Sequence, residues 1–150
     1  MAFDIEATAR VVQDALKDSR LFFSVEIARP GQPVGEGPSA TISGESMRVV
    51  STTLTNAIEL HTLKVTLWRA MNTAGEEARE LEAMTLASQV MDLFYEDFQL
   101  GGNIRAVDVG GIHSGGLEVD FTERNIDAAP YHIADITLPL IVDSATAMVA

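Results

Sequence analysis

The chain of 150 residues contains no cysteine. That excludes disulfides, thiolate nucleophiles and Cys-ligated metal sites. Basic residues are scarce: 10 Lys+Arg stand against 22 Asp+Glu, for a formal net charge of −12. A free-standing nucleic-acid binder needs a basic footprint to neutralise phosphates, and this balance argues against one. No apolar run approaches the roughly 20 residues that span a bilayer. Met1-Ala2-Phe3-Asp4-Ile5-Glu6 carries acids where a signal peptide would carry Lys or Arg, so the expectation is a protein made and kept in the cytoplasm or assembled there. What is present is ordinary for a folded domain: 47% hydrophobic and 21% charged residues, in a length that predicts one domain over 1–150.

Asp4 to Lys17 reads as a helix, with Asp4 as N-cap and Ile5, Ala9, Val12 and Leu16 on one face. Gln13, Asp14, Lys17 and Asp18 occupy the other faces. Leu21–Ile27 reads as a strand with Phe23, Val25 and Ile27 on one side. Residues 29–38 hold three prolines and three glycines, which predicts an exposed, mobile loop. Ser39–Ser43 and Met47–Thr53 read as two short strands with a hairpin turn at Gly44-Glu45-Ser46. Ala57–Ala70 is the longest β-like run, with a parity change that predicts a bulge near His61-Thr62 or burial of both faces.

Thr73 to Phe98 predicts a long helix. Glu76, Glu77 and Glu80 favour its first turns through the macrodipole, and Leu81, Met84, Met91 and Phe94 form the expected core stripe, broadened by Ala87, Val90 and Tyr95. The remainder reads as β: Ile104–Val109, a glycine-rich hairpin turn over Gly110–Gly116, a strand around Leu117, Val119 and Phe121, and a long strand from Tyr131 to Asp143. Pro139 predicts an edge position or a bulge there. Ser144–Ala150 reads as a loose tail. Strands run consecutively instead of alternating with helices, which predicts an α+β fold with a mainly antiparallel sheet packed by the two helices.

Catalytic spacing is missing. Gly110–Gly116 has no following Lys-Ser or Lys-Thr, fits no G-x-G-x-x-G register and leads into a strand. His61, His113 and His132 lie on separate elements with no H-x-x-x-H or H-E-x-x-H spacing, so no metal or cofactor is implied. Glu76, Glu77, Glu80 and Glu82 read as a solvated helix face. Trp68 and Arg69, at the end of the longest strand, have the composition of an interface anchor, with core burial of Trp68 as the alternative. Pro30, Gly31, Gln32, Pro33, Val34 and Gly35 form the second candidate interface, because long loops on rigid scaffolds commonly carry binding.

At the helix-to-strand junction the sequence runs Leu93-Phe94-Tyr95-Glu96-Asp97-Phe98-Gln99-Leu100-Gly101-Gly102-Asn103-Ile104. With the element order around it, this stretch resembles the tail-terminator and neck proteins of long-tailed bacteriophages, in which a long helix ends in an acidic-aromatic segment, Leu-Gly-Gly and a strand. The matching motif residues are Leu100, Gly101 and Gly102. The resemblance implies a structural virion protein in the tail or neck, assembled in the host cytoplasm. It further implies a hexameric ring that caps the tail tube, contacts the tail tube protein and the head–tail connector protein, and lets DNA pass through its lumen without specific binding. No catalytic residue, membrane or cofactor is implied. Six copies at −12 each carry −72, and an acidic lumen would repel passing phosphates. A head–tail joining or tail-completion protein is the alternative, and a small α+β ligand-binding domain or enzyme the further one. The last would show a polar cluster converging on a pocket.

Overall fold

The computed structural model describes residues 5–28, 38–52, 56–70, 76–96, 104–112, 114–126 and 129–145. The elements run α1 (Ile5–Asp18), β1 (Ser24–Ile27), β2 (Ser39–Thr52), β3 (Asn56–Ala70), α2 (Glu76–Glu96), β4 (Ala106–Val107), β5 (Glu118–Ile126) and β6 (Ala129–Ala145). The fold is α+β, with two helices and one curled, mostly antiparallel sheet among the described residues. Its strand order is β1-β2-β3-β6, and β6 carries β5 and β4 in succession along its far edge.

Both helices lie on one sheet face. Val12 and Leu16 of α1 and Leu86, Ala87, Val90 and Phe94 of α2 join Ile42, Leu63, Val65, Ile136, Leu138 and Leu140 in one core. The periodicity of α1 is therefore read correctly at Val12 and Leu16. Gln13 departs from it: its side chain is buried, and Nε2 donates to the Val25 carbonyl at 3.1 Å, tying the helix to β1. α1 ends at Ser19-Arg20, where the Ser19 amide donates to the Ala15 carbonyl and Arg20 takes a φ of 59°.

The stripe expected on α2 holds at Ala87, Val90 and Phe94, which are buried, and at Met91, which packs against the core. It fails at Leu81 and Met84, 54% and 53% exposed, and at exposed Tyr95, while Ala83 and Leu86 are buried instead. Small Ala83 and Ala87 let the helix approach the sheet, and that contact outweighs the larger side chains one position away.

Ser39 to Thr52 is one strand, not two with a turn. β3 is a single long partner, and β2 accommodates it with register shifts at Gly44/Ser46 and Val49/Ser51. The predicted bulge beside His61-Thr62 is thus on β2, and β3 is buried on both faces. Leu63, Val65 and Leu67 face the helices, while Leu60, Thr66 and Trp68 face the other way, all buried. β1 is shorter than expected, beginning at Ser24, and pairs with β2 in parallel. A parallel pair forces the chain to return along the strand before pairing, which is a topological reason for the long connection between Ile27 and Ser39.

Two further expectations are corrected. β4 and β5 do not form a hairpin, because both take β6 as partner. Pro139 sits in a central strand: its carbonyl accepts from the Asp108 amide at 2.9 Å. In an antiparallel strand a residue's N–H and C=O point to the same side, so the missing donor falls between the end of the β5 ladder at Thr137 and the start of the β4 ladder at Leu140. β6 also extends through Ala145, into the segment read as tail.

Candidate functional site

Two strand segments leave the helix-covered core and stay exposed. β2 is buried from Ser39 to Ile42, where β1 flanks it, and exposed over nearly all of Gly44–Thr52. Met47 and Val49 pair with His61 and Glu59, on the helix-bearing face, and are 59% and 56% exposed. Arg48 pairs with Leu60 and faces the other way. β5 is the second segment. Its residues 118–125 are exposed except for half-buried Val119, and Phe121 is exposed on the helix-bearing face opposite Ala134. Glu118 and Asp120 occupy the reverse face, opposite Thr137 and Asp135. Among the described residues no further strand lies along the outer edge of either segment.

The loop feeding β5 is held by a buried carboxylate. Asp108 accepts from the Ile112 amide at 2.7 Å and from Ser114 Oγ at 2.8 Å, and Ser114 Oγ accepts in turn from the Gly116 amide at 2.9 Å. The Leu117 amide closes the loop on the Val109 carbonyl. Gly116 has a φ of +90°, and a Cβ there would lie 2.8 Å from the Val109 carbonyl oxygen. The glycine stretch is thus a structural turn.

Trp68 is not an exposed anchor. It is 1% exposed, lies between Ser39 and Ile133 across strands, and directs Nε1 to Thr41 Oγ1 at 3.5 Å. Arg69 is engaged within the subunit, its Nη2 donating to Glu82 on α2. The loop candidates Pro30, Gly31, Gln32, Pro33, Val34 and Gly35, the motif Leu100, Gly101 and Gly102, and His113 lie outside the described residues.

Glu80 of α2, Glu123 of β5 and His132 of β6 offer donor atoms within 4.8 Å of one another. Glu80 Oε1 is 4.0 Å from Nε2 of His132, and Glu123 Oε1 is 3.8 Å from Nδ1. A buried imidazole thus lies between two exposed acids, linking α2 to the β5–β6 pair. Sequence spacing gave no sign of it, since the three come from separate elements.

A polar crevice on the face opposite the helices is lined by Lys64, Thr66, Trp68, Thr122, Arg124 and Asp135. Thr66 Oγ1 donates to Asp135 Oδ1 at 2.9 Å, which occupies the carboxylate. The crevice volume, about 160 Å³, is below the roughly 300–1,000 Å³ of ligand pockets. A wider groove of about 490 Å³ lies between the end of α1 and α2, bordered by Arg20, Leu21, Leu81 and Gln89. Neither crevice nor groove presents a nucleophile beside a base among its lining residues. No protein-family model matches the chain, and no curated protein matches it closely enough to mark a relative.

Proposed function

We propose that the chain is a structural subunit of a long-tailed phage virion, a tail terminator that assembles as a ring on the end of the tail tube and offers a joining surface to the head connector. One observation carries this reading: a rigid, helix-backed sheet ends on two opposite sides in exposed strand edges bearing Met47, Val49 and Phe121. A lone subunit gains nothing from such edges, which invite pairing with another chain. A ring subunit needs two different surfaces for its two neighbours. The element order, the Leu100-Gly101-Gly102 motif and the net charge of −12 support the same reading. An anionic ring presents a lumen to which DNA does not adhere.

Mixing the purified protein with tail tubes and imaging by negative stain tests it. The expected result is a ring of density at one tube end, with the protein leaving its monomer mass. Protein that stays monomeric in the presence of tubes overturns the reading. Binding to the head connector without binding to tubes would favour the head–tail joining alternative.

A further inference from the structure

Building on the ring reading, we propose that successive copies join head to tail by strand addition, with the outer edge of β2 (Gly44–Thr52) in one copy pairing antiparallel with the outer edge of β5 (Glu118–Ile126) in the next. The two edges lie at opposite sides of one sheet, and among the described residues neither has a further strand beside it: β1 covers β2 only over Ser39–Ile42, and β5 pairs only with β6.

Strand direction fits this pairing. β2, β3, β6 and β5 alternate along the sheet, each antiparallel to the next. β5 therefore runs opposite to β2. When a second copy is placed beside the first in the same orientation, its β5 meets β2 as an antiparallel neighbour, and the helices of both copies stay on the same side. No flip of the subunit is required.

The side chains match as well. On the helix-bearing face, β2 offers Met47 and Val49, and β5 offers Val119 and Phe121. On the reverse face, Arg48 meets Glu118 and Asp120. In the register that sets Met47 opposite Phe121, Arg48 stands opposite Asp120 and Val49 opposite Val119. Apolar cross-strand pairs and an opposite-charge pair both favour pairing. Because the joined edges differ, the contact is heterologous, and repeating it closes a ring or builds a filament. The free part of β2 lies toward the far end of the sheet from β5, so neighbouring sheets step along the strand. A closed ring then has its strands inclined to the axis, as closed barrels do.

The absence of cysteine makes cross-linking a clean test. Residues directly opposite in an antiparallel pair lie within disulfide reach. The double variant Met47→Cys/Phe121→Cys, assembled on tail tubes and oxidised, should give a non-reducing ladder reaching the mass of the full ring, while each single variant stays at monomer mass. Both positions are exposed, so folding is checked by circular dichroism. Arg48→Asp should reduce ring formation at least tenfold, and adding Asp120→Arg should restore it. Rings that form with no ladder, dimers from Met47→Cys alone, or a folded charge-swapped chain that does not recover would each overturn the edge pairing and leave the ring reading standing. Protein that never leaves monomer mass on tubes overturns both.

Discussion

The two ends of β2 show how one strand meets two fates. Ser39, Ala40, Thr41 and Ile42 are buried, flanked by β1 and β3 and backed by α1. A few residues on, past the shift at Gly44/Ser46, Met47 and Val49 are exposed although they share the helix-bearing face. Both ends are hydrogen-bonded to β3, so backbone pairing does not separate them. The difference is what lies on the face and on the outer edge. The first end is finished within the subunit, whereas the second has no further strand beside its outer edge among the described residues, and its apolar side chains stay exposed, Met47 at the rim of an apolar hollow of about 210 Å³ that it shares with Ile5 and Ala9 of α1. The proposed strand addition draws on that contrast.

Mutations should divide along the same line. The largest losses belong to the buried end of the sheet. Leu138→Ala and Trp68→Ala remove fully enclosed side chains and should each cost about 3–5 kcal/mol in denaturant unfolding. A loss under about 1 kcal/mol would place those residues outside the cooperative core. Gly116→Ala forces a Cβ against the Val109 carbonyl at positive φ. A destabilisation of about 1–3 kcal/mol is expected from that strain, and an unchanged unfolding midpoint would mean that the loop entering β5 is not held as described. Gln13→Ala leaves the buried Val25 carbonyl without its side-chain donor. The expected cost is about 1–2 kcal/mol, read as a lower melting temperature. At the open end, Met47→Ser and Val49→Ser should change monomer stability by less than about 0.5 kcal/mol while weakening ring formation on tubes. Equal losses at both ends would erase the distinction.

Much of the fold is legible in the sequence, and the misreadings have local causes. The α+β class follows from element order, and the core face of α1 from Val12 and Leu16. The core face of α2 is read correctly at Ala87, Val90 and Phe94 and misread in its first half, because Leu81 and Met84 outrank Ala83 in hydrophobicity, whereas close helix–sheet contact favours the small residue. Gly44-Glu45-Ser46 has local turn chemistry, but the uninterrupted β3 beside it makes it a bulge. Pro139 reads as an edge residue because the gap between β5 and β4 depends on how two distant segments share one partner. Candidate surfaces are harder still. Trp68 and Arg69 carry interface-like composition, yet register sets one between strands and sends the other to Glu82. The β2 and β5 edges become visible only once the pairing of all strands is known, because being unpaired is a property of the sheet and not of a segment.

Amide hydrogen exchange, compared between the free subunit and the ring on tail tubes, tests most directly whether the open strand ends are intersubunit surfaces. Amides of Ala40 and Ile42 should be protected in both states. The outward-pointing amides of Gly44–Thr52 and Glu118–Ile126 should exchange rapidly in the free subunit and slow by at least tenfold on assembly. Rings in which both segments exchange as fast as in the free subunit would contradict that assignment.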